Sequence, residues 1–243
     1  MMDIEMDAAN VDNSIKQIKD VFYAMLGVDI KYHKDDIHKM FPKHPFICNY
    51  IYTKSVSGTY EYWNITDPDD LQKVKAYYRE MIDKENDFHH LMQLVAGPYR
   101  AQILNFCSSY LSDEVLANEL SYTWISTEFF GNGACVSASD WISMFKRSDK
   151  QHLMDNEEQE VFNNFPDEIE IYRGVGSKGK VRGMSWTVSR DVAEWFANRY
   201  NQNGNVYSAK IKKEHVLAYF VGRGEQEVIV EPRFLKNVSA LLI

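Results

Sequence analysis

The chain has 243 residues, of which 45% are apolar and 26% are charged. This composition excludes a disordered or fibrous protein, and the length predicts one or two domains. The net charge is −8, with −11 in residues 1–160 and +3 in residues 161–243. The acidic first part is unsuited to nucleic acid, whereas the second could attract a ligand that carries phosphate. A surplus of surface carboxylates on helices explains the same imbalance.

Cysteine usage and the absence of targeting signals indicate a reducing compartment. Cys48, Cys107 and Cys135 are odd in number and match no zinc spacing, so we expect buried or idle thiols. The first residues lack the basic start and apolar run of a signal peptide, and no stretch is long enough to span a membrane. The histidines lack partners at metal-ligand spacing. We therefore expect a cytoplasmic protein that has no membrane partner and no metal site.

Helical periodicity dominates the first 165 residues. Apolar residues at steps of three and four predict an amphipathic helix over 12–26, ended by Gly27. A strand pair turning at Ser57-Gly58 is predicted next. Asp67-Pro68-Asp69-Asp70 then predicts a helix start, because carboxylates and proline are favoured in a first helical turn. Further helices are predicted over 87–96, over 99–110, after Ser112, from Ser139 and over 150–165.

From residue 168 the apolar period changes from 3.6 to 2, which indicates strands. One helix interrupts them, capped by Ser189, with an apolar face made of Val192, Trp195, Phe196 and Tyr200. The predicted class is therefore α+β, with a mostly helical first part and a β-rich second part. The predicted strands cover 168–175, 184–188, 206–211, 216–221, 227–230 and 238–242.

A glycine pattern from Gly174 to Gly179 matches the dinucleotide fingerprint G-x-G-x-x-G. The fingerprint requires a helix that begins at the third glycine. Here the glycines lead instead into another predicted strand. We interpret the segment as a glycine-rich loop between two strands.

Three short stretches place polar groups at the edges of apolar strands. Arg173 ends a strand and suits bidentate contact with phosphate, although a surface arginine on an edge strand fits equally. Ser185 and Thr187 alternate, so both hydroxyls are expected on one face. Glu225 and Glu227 are expected to share a side of their strand. Two carboxylates so close are unfavourable unless they are solvated in a turn or used in a site.

In this order, the three stretches resemble the signature of the Arg–Ser–Glu class of mono-ADP-ribosyltransferases. The family places an arginine on its first strand, an S-x-T/S motif on its second and an E-x-E motif ahead of a later strand. Here Arg173, Ser185-Trp186-Thr187 and Glu225-Gln226-Glu227 match these motifs. One departure is Trp186, where eukaryotic and clostridial members carry threonine. We expect its side chain to face away from the two hydroxyls.

The resemblance covers residues 160–243, and residues 124–165 are similar to the helical lead-in of phage- and prophage-encoded members. It implies a catalytic domain over 121–243, an ADP-ribosyltransferase-type β-sandwich with one internal helix. A helical N-terminal part, residues 1–120, is expected to pack on it and matches nothing known to us.

What the resemblance implies for the chemistry is cleavage of NAD between nicotinamide and ribose, without a metal. Glu227 would grip the ribose 2′-hydroxyl and stabilise an oxocarbenium-like transition state. Arg173 would hold the phosphates, Ser185 would orient Glu227, and Glu225 would act on the acceptor as a general base. The implied NAD-binding residues are Arg173, Gly174, Ser185, Trp186, Thr187, Phe196 and Glu227.

The implied function is an ADP-ribosyltransferase, a glycosyltransferase that acts as a toxin or phage–host conflict effector. It would work in the cytoplasm of a bacterial or phage-infected cell, and an antitoxin or other inhibitory partner would restrain it. Glu225 favours protein arginine as the acceptor, and RNA or DNA stays open. The alternatives are an NAD glycohydrolase and a catalytically inactive binding module.

Overall fold

The structure is a computed structural model that describes residues 2–32, 34, 41–127, 136–176, 179–199 and 203–241, with the backbone alone for residues 2–13. Half of the protein is helical and about a quarter is strand, which confirms the predicted α+β class. The chain divides into two compact units. The first unit is Met1–Val115 with Tyr122–Val136, and the second is Leu116–Ser121 with Ser137–Ile243. None of the described helices is long and apolar enough to cross a bilayer.

The first unit is mainly helical, as predicted. Its first helix, α1 (Met2–Leu26), buries Ile18 and Phe22 as the apolar spacing predicted, and it buries Leu26 in place of the predicted Met25. The predicted strand pair is also confirmed, because residues 51–56 pair antiparallel with residues 59–64. Ser57 and Gly58 between them both have positive φ, as a type I′ hairpin turn requires. The helices are α1 (Met2–Leu26), α2 (Pro68–Lys84), α3 (Phe88–Gln93) and α4 (Arg100–Cys107), and the strands are β1 (Lys31–Tyr32), β2 (Pro42–Lys43), β3 (Ile51–Val56) and β4 (Thr59–Asn64). Helix α5 (Asp113–Ser126) has residues in both units. The predicted domain boundary after residue 120 lies within α5.

Helix α2 begins at the predicted signal. The Asp67 side chain accepts hydrogen bonds from the amides of Asp69 and Asp70, so it caps the helix. Pro68 occupies the first turn, where its missing N–H leaves no hydrogen bond unmade. Local chemistry alone therefore fixes where this helix starts.

A buried histidine makes the first unit sensitive to acid. His44 is 1% exposed, and the amides of Phe46 and Ile47 each donate to its Nδ1 at 3.1 Å. Nδ1 must therefore be unprotonated in the folded chain. Burial, reinforced by the charge of Lys75, lowers the pKa of His44 to about 4.

The unfolded chain binds a proton at His44 with a pKa near 6.5, so stability is present above that value and is lost as pH falls toward 4. We expect the free energy of unfolding of the first unit to drop by about 2 kcal/mol between pH 7 and pH 5. Urea unfolding at the two pH values measures the change. His44→Asn keeps a hydrogen-bond acceptor but cannot titrate, so its drop should be smaller by that amount. An equal drop in both proteins would contradict the role of His44.

The second unit contains the remaining helices and a six-stranded sheet in which every neighbouring pair of strands is antiparallel. From one edge to the other, its strands cover residues 236–241, 205–212, 168–175, 185–187, 227–230 and 216–220. The strands over 168–175 and 227–230 have the predicted bounds. The predicted helix over 150–165 is instead two helices, because Asp155 forms a capping box that starts a new one. The elements are α6 (Ala138–Arg147), α7 (Lys150–Leu153), α8 (Asn156–Asn163), β5 (Glu168–Val175), β6 (Ser185–Thr187), α9 (Arg190–Asn198), β7 (Asn205–Lys212), β8 (Val216–Phe220), β9 (Glu227–Val230) and β10 (Lys236–Leu241).

The sheet has a weak junction in its middle. β5 pairs with β7 along its whole length, and β6 pairs with β9 at all three of its residues. Between β5 and β6, in contrast, the pairing is limited to Tyr172 and Thr187. The sheet is thus two three-stranded halves that meet at one residue pair.

Helix α9 lies unusually close to β5. It packs through Ala193 and Ala197, both 0% exposed. A Cβ atom at Gly174 would lie 2.0 Å from the Ala193 carbonyl oxygen and 2.5 Å from the Ala197 amide nitrogen. The apolar face predicted for this helix was therefore wrong, since Trp195 is 56% exposed. Small residues, and not aromatic ones, allow the helix to touch the strand; the predicted Tyr200 lies outside the described residues.

Candidate functional site

The three motifs lie on three neighbouring strands of the second unit. Arg173 is on β5, Ser185 and Thr187 are on β6, and Glu227 opens β9. Thr187 is the register partner of Tyr172 on one side and of Glu227 on the other. Residues separated by some fifty positions in the sequence are thus brought to one region of the sheet.

The Arg173 side chain reaches across the junction between β5 and β6. Its Nη1 donates to the Ser185 carbonyl, and its Nε donates to the Lys180 carbonyl at 3.3 Å. The guanidinium rests on Gly183, where a Cβ atom would lie 2.7 Å from Cζ. Among the described residues these carbonyls are its only hydrogen-bond partners. A guanidinium has five N–H donors, and Nη2 donates to none of the described residues, so it is a candidate group for binding a ligand.

Arg173 and Glu227 interact electrostatically. Burial lowers the pKa of Arg173, and the negative charge of Glu227 opposes that shift. Arginine stays protonated near neutrality in any case, because its ordinary pKa is far above 7. Glu227 is 5% exposed. Because Glu227 is buried, solvent screens its charge less than it would at an exposed site.

The two hydroxyls of the serine motif have different roles. Ser185 is half-buried, and within the described part of the chain its hydroxyl makes no hydrogen bond. The Thr187 hydroxyl donates to the Glu225 carbonyl at 2.8 Å and accepts from the Ser189 amide at 3.0 Å. Ser185 is thus available to a ligand, whereas Thr187 positions the backbone on both sides of it.

Removing the Thr187 hydroxyl should loosen these links. Thr187→Val keeps the shape but leaves the Ser189 amide and the Glu225 carbonyl without their partner. We expect a loss of about 1–3 kcal/mol in the free energy of unfolding. Thr187→Ser keeps the hydroxyl and should lose distinctly less. Urea unfolding of both variants measures the difference, and equal losses would show that the methyl group, not the hydroxyl, matters.

Trp186 belongs to the core and not to an accessible surface. It is 2% exposed, and its Nε1 donates to the Gly183 carbonyl at 2.9 Å. Its place between Ser185 and Thr187 on the strand directs it to the opposite face. The prediction that Trp186 contacts a cofactor is therefore corrected. Trp186 instead supports the turn on which the Arg173 guanidinium rests.

Glu225 does not alternate with Glu227 as predicted. Strand β9 begins only at Glu227, Gln226 has a φ of 46°, and Glu225 has helical backbone angles. The side chain of Glu225 pairs with Arg223, with 3.1 Å between Nη2 and Oε2. The second carboxylate of the motif therefore belongs to a loop and already binds a guanidinium.

Gly174 follows Arg173 on β5, and Phe196 approaches Gly174 from α9. The Phe196 Cβ would lie 2.9 Å from a Cβ at Gly174, and its ring packs edge-on against Trp195 at 4.9 Å. Phe196 is half-buried. Sequence reasoning missed Gly183, whose signal is a glycine just before the strand that carries the serine motif.

The described residues form no metal site, and the comparisons with known proteins found no match. Among the described residues, no group of three or more His, Cys, Asp or Glu side chains could hold a metal ion. No protein-family model, curated protein or solved structure matches this chain.

Proposed function

We propose that the chain is a mono-ADP-ribosyltransferase that cleaves NAD between nicotinamide and ribose and transfers ADP-ribose to a macromolecule. The observation that carries the proposal is that Arg173 and Glu227 lie on the two strands that flank β6, with the Arg173 guanidinium bound to the Ser185 carbonyl of β6. A cation for phosphate and an acid for a developing positive charge are the two groups that this reaction needs most.

Each group has a distinct part in the proposed reaction. The unused donors of Arg173 bind the pyrophosphate of NAD. The free Ser185 hydroxyl orients the nicotinamide ribose. As the glycosidic bond breaks, nicotinamide leaves with the electron pair and positive charge develops on the ribose. Glu227 holds the 2′-hydroxyl and stabilises that charge more in the transition state than in the ground state.

The architecture of the second unit supports an ADP-ribosyltransferase-type fold. The internal helix α9 follows the strand of the serine motif, as the resemblance implies, although the strands form one six-stranded sheet and not the two packed sheets of a β-sandwich. Gly174 and Phe196, where α9 meets β5, supply a surface beside Arg173 for the nicotinamide end of the substrate.

The loop that carries Glu225, between β8 and β9, favours an arginine side chain as the acceptor. Glu225 pairs with the guanidinium of Arg223, so its carboxylate is placed to bind this group. A toxin or phage–host conflict effector acting on cytoplasmic proteins, restrained by an inhibitory partner, fits this activity. Lys180 and Arg182 are exposed beside the site and would favour RNA or DNA if the acceptor is a polyanion.

Labelled NAD tests the proposal. The purified chain is incubated with NAD that carries a label on its adenylate phosphate, with and without bacterial lysate. We expect nicotinamide release and label in material that protease digests. Label that nuclease removes would move the acceptor to nucleic acid, and release without any labelled macromolecule would indicate hydrolysis. An absence of nicotinamide release under every condition would overturn the proposal.

A further inference from the structure

Glu158 on α8 is a buried carboxylate that binds the chain at two distant points. It is 6% exposed. Its Oε2 accepts from the Asp155 amide at 3.0 Å, which closes the capping box at the start of α8. Its Oε1 accepts from the Val221 amide at 2.8 Å, across 63 positions of the sequence. Val221 follows β8 directly, so Glu158 holds the first residue of the loop between β8 and β9.

Capping alone does not account for the burial of this carboxylate. The capping box of α6 uses Asp140, which is half-buried and whose side chain, among the described residues, binds only Ser137. No described cation pairs with Glu158. Burial raises the pKa of its carboxyl, and the hydrogen bonds from the Val221 and Asp155 amides oppose that shift. Because burying a carboxylate without a cation is costly, the bond to Val221 indicates a role beyond capping.

The loop between β8 and β9 is held at both ends. At one end, the Val221 amide is bound to Glu158. At the other end, the Glu225 carbonyl accepts from the Thr187 hydroxyl on β6 at 2.8 Å. Between these ends, Arg223 has a φ of 65° and its Nη2 lies 3.1 Å from Oε2 of Glu225. The position of the Glu225 carboxylate therefore depends on both ends of the loop.

Glu227 is held differently, by the sheet itself. It is the register partner of Thr187 on β6 and of Phe220 on β8. Neither pairing involves Glu158. Loss of the bond between Glu158 and the loop should therefore move Glu225 much more than Glu227.

From this geometry we propose that Glu158 is a positioning residue, which holds Glu225 in place through Val221 and so directs ADP-ribose to the macromolecule and not to water. The inference rests on the proposed function. Nicotinamide leaves the anomeric carbon of the ribose with the electron pair of the broken bond. In transfer, that carbon bonds to a guanidinium nitrogen of the acceptor, whose proton passes to Glu225 and then to water. In hydrolysis, it bonds to a water oxygen, whose proton passes to solvent. A displaced Glu225 favours hydrolysis.

Glu158→Asp tests the inference. Aspartate can still close the capping box, as Asp140 does on α6, but its shorter side chain withdraws from the Val221 amide. We expect faster deuterium uptake in peptides that cover residues 221–226, measured by mass spectrometry. Transfer of labelled ADP-ribose to lysate protein should fall by a factor of about 10–10², because a small displacement of a catalytic group is enough for such a loss. The rate of nicotinamide release should stay close to that of the unaltered chain.

Asp140→Ala is a matched control. It removes the carboxylate of the other capping box of this unit, which makes no hydrogen bond to the loop. This variant should keep both the deuterium uptake of residues 221–226 and the ratio of transfer to nicotinamide release. If Glu158→Asp releases nicotinamide and keeps that ratio, the inference is overturned and the proposed function stands. Unchanged deuterium uptake in Glu158→Asp would overturn it as well. An absence of nicotinamide release by the unaltered chain would remove both proposals.

Discussion

Replacing Glu227 by glutamine should lower the rate of nicotinamide release from NAD by a factor of about 10²–10³. Glutamine keeps the size of the side chain and can still contact a hydroxyl, but it carries no negative charge. The carboxylate acts mainly on the charge that develops as the glycosidic bond breaks, so the loss should fall on the rate and much less on NAD affinity. Initial rates of nicotinamide release and NAD titration by calorimetry measure the two quantities separately.

The matched control for this variant is Glu214→Gln. Glu214 is a carboxylate of the same unit and is 62% exposed; of its partners, Lys212 is exposed and His215 is half-buried. Its removal should leave nicotinamide release unchanged. If Glu227→Gln folds normally and releases nicotinamide at the rate of the unaltered chain, Glu227 does not stabilise the transition state. A folded Glu227→Gln that has lost NAD binding would also contradict a role confined to the transition state.

The largest expected loss of stability follows from Gly174→Ala. The added Cβ would meet the backbone of α9 at 2.0 Å from the Ala193 carbonyl oxygen, a contact that a side-chain movement cannot relieve. Either α9 shifts away from β5 or the strand distorts. Overpacking of this kind costs about 3 kcal/mol at the upper end of the usual range. The free energy of unfolding from urea titration measures the loss.

Gly224→Ala separates backbone strain from steric contact. Gly224 has a φ of 70°, but apart from its own chain neighbours no atom of the described residues lies within 4 Å of the position of its Cβ. Alanine there should cost about 1–2 kcal/mol in the free energy of unfolding, which is the cost of the backbone conformation alone.

Because Gly174 also lies beside Arg173, the Gly174→Ala variant should lose nicotinamide release as well. Equal free energies of unfolding for Gly174→Ala and Gly224→Ala would show that α9 moves away from β5 at little cost.

The sequence predicted well wherever local chemistry decides the structure. Strand β5 has the predicted bounds because Ile169, Ile171 and Val175 alternate along it, with Arg173 as the one break in the apolar series. Helix α2 starts at Asp67 because the aspartate side chain caps the amides that follow it. The order of the strands that carry Arg173, Ser185 and Glu227 also agreed with the motif order, although their adjacency required the sheet.

Predictions failed where long-range packing or an unusual backbone overrides the local pattern. The aromatic residues of α9 match the apolar period, yet the close approach to Gly174 selects the alanine face instead. Alternation predicted that Glu225 and Glu227 share one side, but the left-handed conformation of Gln226 interrupts the strand between them. Neither the close approach of α9 nor the left-handed conformation of Gln226 can be predicted from the period of the apolar residues alone.

The hydrogen bond from Arg173 to the Ser185 carbonyl has a consequence for how the sheet holds together. It spans the junction at which backbone pairing is limited to Tyr172 and Thr187. The guanidinium therefore links β5 to β6 in addition to its proposed role in binding. Its loss would allow the two three-stranded halves of the sheet to separate. An Arg173→Lys variant would measure both losses at once, so its effect on nicotinamide release should exceed that of a lost phosphate contact.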